Sequence, residues 1–275
     1  MSQLFILLQQ LLPQHLLSRL IGKLANSQWA PFKNLLIRSF VHIFGVDLGE
    51  ASDPDPHAYA SFNAFFTRSL RQGIRPVSGS ICSPADGTVS MTGHLSGNQL
   101  IQAKGISYSL EKLLGSNPTS AFENGSFITI YLSPRDYHRF HLPVAGALLS
   151  AHYIPGKLFS VNATTTEHLP DLFANNERLV TLFETATGPV SLIMVGAMIV
   201  AGIKPVWRDT AYPARQSVRE SFDQPQQFDQ GAEIGHFEMG STVILLHPDK
   251  LEFTVNPGEH VKMGEPLVSS LPTVA

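Results

Sequence analysis

Near its C-terminal end the chain reads Glu238-Met239-Gly240-Ser241-Thr242-Val243-Ile244-Leu245-Leu246. A Gly–Ser bond is a place where a chain can cut itself. The serine hydroxyl can attack the carbonyl before it, and glycine puts no side chain in the way. The resulting ester can eliminate, leaving a new chain that begins with a ketone. The same residues also read as a tight turn before a buried strand, because Gly and Ser are common in turns. Taken alone, the tripeptide favours the turn.

Two other segments offer partners for such a serine. Ser83-Pro84-Ala85-Asp86-Gly87 places a carboxylate in a turn after an apolar stretch. Tyr131-Leu132-Ser133-Pro134-Arg135-Asp136-Tyr137-His138-Arg139-Phe140-His141-Leu142-Pro143 is polar and aromatic, between two β-prone runs. His138 and His141, at i and i+3, could share a helical face. A metal pair is one reading, but no Cys or Glu stands at a supporting spacing. Asp, His and Ser together supply an orienter, a base and a nucleophile, and such sets occur in several chain orders. No G-x-S-x-G elbow surrounds Ser241.

These residues need a frame. Leu4, Phe5, Ile6, Leu7, Leu8, Leu11, Leu12, Leu16, Leu17, Leu20 and Ile21 recur at helical spacing, and Pro13 breaks or kinks the run into two short helices. Trp29, Phe32, Leu35, Leu36, Phe40, Ile43 and Phe44 continue it, with Arg19, Lys23, Lys33 and Arg38 available for a polar face. Such helices can lie in a membrane interface or pack on the protein's own core. Residues 51–56 form a turn-rich linker, and Ser61 to Leu70 reads as a further helix. Beyond about residue 76, β-prone segments fall near 81–91, 126–132, 147–154, 178–185, 190–203 and 241–246, with Thr187-Gly188-Pro189 as a hairpin connection and Leu110 to Leu114 as a short helical turn. The expectation is an α+β protein: a mainly antiparallel β body with amphipathic helices at the N-terminus. Val255 to Leu267 resembles the strand–turn–strand of biotinyl and lipoyl domains. No exposed carrier-lysine tip is evident, so this points to barrel-sandwich architecture in the C-terminal part, not to a carrier.

Composition narrows the function. The chain has 275 residues, 43% of them hydrophobic, enough for one large domain or two small ones. Only 15% are charged and the net charge is -3, without a basic stripe, so nucleic acid is not an expected partner. The single cysteine, Cys82, leaves no internal disulfide. The longest apolar stretch, Leu192 to Ile203, is too short for a spanning helix, and no charged n-region precedes the first leucines.

Several segments together resemble the bacterial phosphatidylserine decarboxylases, pyruvoyl-dependent enzymes that make their own cofactor. They are Phe62-Asn63-Ala64-Phe65-Phe66-Thr67-Arg68, Ser83 to Gly87, Tyr131 to His141, Pro155-Gly156-Lys157-Leu158-Phe159-Ser160-Val161-Asn162, Leu172-Phe173-Ala174-Asn175-Asn176-Glu177-Arg178 and the Gly-Ser-Thr step. The family often has Leu where Met239 stands, a change of little consequence. The resemblance implies that Asp86, His141 and Ser241 form a self-processing triad, with His141 as base and Asp86 orienting it. Cleavage between Gly240 and Ser241 would yield a β chain of residues 1–240 and an α chain of residues 241–275. These would stay associated as a heterodimer, with a dimer of such heterodimers as a further option. Residue 241 would become a covalent pyruvoyl group that forms a Schiff base with phosphatidylserine and releases CO2. His138 would assist decarboxylation or proton delivery. Residues 1–50 would be membrane-associating helices and 51–275 the catalytic domain, peripheral on the cytoplasmic face of the cell membrane. Two other readings remain open on the residues themselves. One is a serine hydrolase using the same three side chains; the other is a non-enzymatic biotinyl-like β module.

Overall fold

The computed structural model describes residues 2–103, 105–198, 202–213, 215–238 and 241–270. The chain opens with helices α1 (Ser2–Leu11), α2 (Gln14–Ala25), α3 (Ala30–Phe44) and the short α4 (Phe62–Phe66). The body follows as β1 (Gly87–His94), β2 (Gln99–Ala103), β3 (Ile106–Ser109), α5 (Leu110–Leu114), β4 (Ser126–Leu132), β5 (Arg139–His141), β6 (Gly146–Ile154), α6 (Ala163–Thr166) and α7 (Leu172–Asn175). It closes with β7 (Arg178–Thr185), β8 (Gly188–Gly196), β9 (Ile203–Pro205), β10 (Val218–Phe228), β11 (Glu233–Phe237), β12 (Ser241–His247) and β13 (His260–Val261). The architecture is the expected α+β one, with its helices concentrated at the N-terminus.

Eight strands form one sheet in the order β10-β6-β7-β8-β12-β4-β1-β13, with every neighbouring pair antiparallel. β5, β11 and β9 make a second sheet, and β2 and β3 a third. The central strands are covered on both faces. Val243 and Leu245 of β12 join one core cluster with Ile128, Ile130 and Leu132, whereas Ile244 and Leu246 join the other with Phe127. A strand buried on both sides reads as a continuous apolar run, which is why 126–132 and 241–246 stood out in the sequence. β7 and β8 pair through Thr185↔Gly188, so Ala186 and Thr187 form the hairpin tip. In the C-terminal part, Val255 to Leu267 holds the two-residue β13 and a Cys82↔Pro266 bridge, and Phe253↔Val268 pair just outside it.

Helix α2 inverts the usual pattern. The buried residues of α2 are Gln14, Ser18, Gly22 and Ala25, at helical spacing, whereas Leu16, Leu20 and Leu24 are about half exposed at 49%, 52% and 55%. Leu11, Trp29, Leu35 and Ile43 are more exposed still. Arg19 and Lys23 lie among these leucines at the surface, whereas Lys33 is buried, with its ammonium on Asn34 Oδ1 and the His57 carbonyl. Polar contacts fasten α1 and α2 to the body. Gln9 Oε1 accepts from the Ser160 amide at 2.8 Å, Gln14 Oε1 accepts from the Leu158 amide at 2.8 Å, and His15 Nε2 meets the Gly156 carbonyl at 2.9 Å. α3 and α4 share a small core of Ile37, Phe62, Phe65 and Phe66. No described helix is long and apolar enough to cross a membrane.

Candidate active site

β12 begins at Ser241, in the middle of the large sheet. Ser241 is paired with Leu132 of β4 and with Gly196 of β8. Met239 and Gly240 lie outside the described residues. The bond of interest therefore leads directly into a strand held on both sides.

His141 and Asp86 approach one another through the main chain. The His141 amide donates to the Pro84 carbonyl at 2.8 Å, which sets β5 against the turn that carries Asp86. His141 is 6% exposed, and its Nδ1 meets the Gly231 carbonyl at 2.9 Å. A carbonyl only accepts, so Nδ1 carries the proton and Nε2 is the free base. Nε2 lies 3.0 Å from the Tyr137 hydroxyl, which then donates to it. Burial holds the ring below its ordinary titration range, against a smaller opposing effect of the Asp86 charge. The imidazole is thus neutral, with its lone pair at Nε2.

Asp86 makes its own bonds elsewhere. Arg75 grips both its oxygens, at 3.1 and 2.5 Å, and the Met263 amide donates to Oδ1 at 2.8 Å. Arg75 also bonds Glu50 at 2.5 Å, and that hydrogen bond is the main reason Glu50 is held down to about 2. In this state the structure brings Asp86 beside His141 without a hydrogen bond between them. Gly231, not Asp86, fixes the tautomer.

His138 is fully buried but does not share a helical face with His141. It precedes strand β5, which begins at Arg139. Nδ1 donates to the Asp136 carbonyl at 2.8 Å, and the Phe66 ring packs at 4.0 Å. Nε2 has no hydrogen-bond partner among the described residues. Burial pushes this histidine down to about 3, so it is neutral at any ordinary pH. Its carbonyl accepts from the Phe237 amide at 3.0 Å, tying it to β11, the strand that runs toward the Gly-Ser bond. A buried ring with one lone pair unmet suits a site that takes a further group, and a central strand holds position 241 firmly. On these grounds the residues present fit a covalent pyruvoyl group. Among the described residues no cluster of His, Cys, Asp or Glu is arranged to hold a metal ion.

Four contributors were not singled out from the sequence. Arg75 and Gly231 stand in loops without a motif. Tyr137 lies within the polar-aromatic segment but carried no role. Glu177 lies in the Leu172 to Arg178 segment, and its side chain packs on Gly196.

The family comparisons cover most of the chain. A family model described as phosphatidylserine decarboxylase matches residues 62–269, and a second, described as PSD, matches residues 4–45. A curated protein of Azotobacter vinelandii is 51% identical over 255 residues, covering 89% of each chain. One from Pseudomonas fluorescens is 47% identical over 284 residues, covering 98% of this chain and 99% of its own. One from Pseudomonas aeruginosa is 47% identical over 277 residues, covering 96% of each. All three are named phosphatidylserine decarboxylase proenzyme. With that identity spread over nearly its full length, the chain belongs to the phosphatidylserine decarboxylase family.

Proposed function

We propose that the chain is a phosphatidylserine decarboxylase proenzyme that cuts itself between Gly240 and Ser241 and then converts phosphatidylserine to phosphatidylethanolamine and CO2. The observation that carries this reading is the placement of the Gly-Ser bond at the entry to the central strand, in a fold that also buries two neutral histidines.

In this reading His141 Nε2 takes the Ser241 hydroxyl proton. The Tyr137 hydroxyl now on Nε2 gives way to the serine when the site closes for cleavage. Asp86 acts through its charge, which favours the imidazolium once it forms. The pyruvoyl group supplies a ketone that takes up the headgroup amine and serves as the electron sink for loss of CO2. His138, neutral and with Nε2 unmet, holds or moves the proton at that atom. The fragments 1–240 and 241–275 stay together because β12 remains paired on both sides after the cut.

The exposed leucines of α1 and α2 support peripheral attachment to the cytoplasmic face of the membrane. In α2, Gln14, Ser18, Gly22 and Ala25 face the body, whereas Leu16, Leu20 and Leu24 face outward with Arg19 and Lys23 among them, a mixture of apolar and basic side chains suited to an interfacial helix. Glutamine side chains tie these helices to the loop 156–162, which brings the apolar face and the catalytic body into one structure.

The test is conversion of phosphatidylserine in vesicles, followed as release of CO2 and appearance of phosphatidylethanolamine. The wild-type chain performs it and Ser241→Ala does not. A fully active Ser241→Ala protein would remove residue 241 from the mechanism.

A further inference from the structure

One buried carboxyl beside the cleavage point has no task in the account so far. Glu177 is 4% exposed and immediately precedes β7. Its turn grips the end of β8. The Gly196 amide donates to the Glu177 carbonyl at 2.9 Å, and Asn176 Nδ2 donates to the Gly196 carbonyl at 2.8 Å. Gly196 is the residue directly opposite Ser241.

The Glu177 side chain occupies the face of β8 at that residue. A Cβ at Gly196 would fall 2.9 Å from Glu177 Cγ and 3.0 Å from Oε1. The bare glycine is therefore what admits the carboxyl. Opposed residues on antiparallel strands are about 4.5–5.5 Å apart at Cα, which puts this carboxyl one strand away from the backbone of residue 241. On its other side Glu177 Oε2 accepts from the Tyr153 hydroxyl at 2.9 Å. The Tyr153 ring is stacked on Tyr212, with centroids 5.1 Å apart.

Among the described residues, Tyr153 of β6 is the ionisable side chain that faces the carboxyl. The neighbouring Arg178 is turned away, with its guanidinium on the carbonyls of Lys112, Leu113, Ala174 and Asn176. Burial raises Glu177 to about 7, and the Tyr153 hydrogen bond opposes this. The carboxyl can therefore hold a proton near neutral pH and release it.

Self-cleavage needs such a proton. As Ser241 Oγ bonds to the Gly240 carbonyl carbon, the bond from that carbon to the Ser241 nitrogen breaks. The nitrogen must then gain a proton to leave as an amine. We propose that Glu177 is the general acid of self-cleavage and gives its carboxyl proton to the Ser241 nitrogen. The serine hydroxyl proton goes to His141 Nε2, and Glu177 is left as a carboxylate. This rests on the reading that the chain cuts itself at Gly240-Ser241.

The test times the cleavage of freshly synthesised full-length chain on denaturing gels across pH 5.5 to 9, with no lipid present. Wild type is cut, at a rate that falls above roughly neutral pH as the acid ionises. Glu177→Gln is cut at least about tenfold more slowly, without that falling limb, in line with loss of a general acid. Tyr153→Phe removes a hydrogen bond that favours the carboxylate, so the falling limb moves to higher pH; this decides the matter even if Glu177→Gln fails to fold. A Glu177→Gln chain cut within about twofold of wild type with its limb intact, or a Tyr153→Phe limb that does not move, overturns the assignment. A wild-type chain that is never cut removes the self-cleavage reading, and this assignment with it. A cut wild type beside a normally cut Glu177→Gln removes this assignment alone.

Discussion

His138 and His141 stand three residues apart and make different contacts. His141 shows its lone pair to a hydroxyl that can be exchanged, whereas His138 keeps Nε2 unmet in a fully buried site. His138→Ala should therefore leave self-cleavage within a few-fold of wild type and lower decarboxylation at least about a hundredfold, the usual cost of losing an acid–base group. Gel processing and CO2 release separate the two effects. Burial of His138 also makes stability depend on pH. Above 6.5 the ring is neutral folded and unfolded; below 6.5 the unfolded chain takes up a proton that the folded ring refuses until about 3. Stability should thus fall as pH is lowered through that window, by up to about 1.4 kcal/mol per pH unit from this group. Urea unfolding at pH 7 and pH 5, with and without the histidine, measures it. Asp86, His141 and Ser241 of the proposed site each sit in a segment recognisable in the sequence. The Gly231 carbonyl and the Arg75 clamp were not, because a backbone acceptor carries no sequence signature and Arg75 lies in a plain loop.

At the scale of elements, the strands the sequence disclosed most closely are β4, β7 and β12, largely buried on both faces, and β6, whose residues are all buried or half-buried. β10 escaped because it is an edge strand, largely exposed and built from Arg, Glu, Asp and Gln with Pro225 inside. The expected segment 190–203 stops at Gly196, where the clamp from Asn176 and Glu177 takes its backbone, and β9 begins at Ile203. The expected 81–91 strand starts only at Gly87, because residues 82 and 83 are bound by the loop at Glu265 and Pro266. The expected Ser61–Leu70 helix is cut to α4, because Arg68 is drawn away to the Arg135 carbonyl. Gly196→Ala should destabilise the protein by about 1–3 kcal/mol, since its methyl would collide with Glu177, and the loss is readable by urea unfolding. Replacing Leu16, Leu20 and Leu24 together with Gln should weaken binding to anionic vesicles at least about tenfold while leaving the melting temperature nearly unchanged, because these side chains face outward. Vesicle sedimentation and calorimetry check the pair. The amphipathic pattern was plain in the sequence; which face turns inward was not, because buried Gln9 and Gln14 look like ordinary polar-face residues.

For the whole molecule, the fold joins an exposed leucine face, a large antiparallel sheet and the proposed Gly240-Ser241 cleavage point. α1 and α2 are hydrogen-bonded to the loop 156–160, and Asn176 bonds both that loop at Phe159 and β8 at Gly196, beside Ser241. Cutting the chain before β12 leaves Val243, Ile244, Leu245 and Leu246 buried, worth roughly 6–12 kcal/mol at about 1.5–3 kcal/mol for each side chain. The small fragment should thus remain bound without any covalent link. Purification under native conditions should recover both fragments together, and separation should require denaturant. The account stands most directly on the intact mass of the purified wild-type protein under denaturing conditions. It predicts two chains, residues 1–240 and residues 241–275, the smaller one beginning with a pyruvoyl group in place of serine. A single uncut chain that still decarboxylates phosphatidylserine would contradict it.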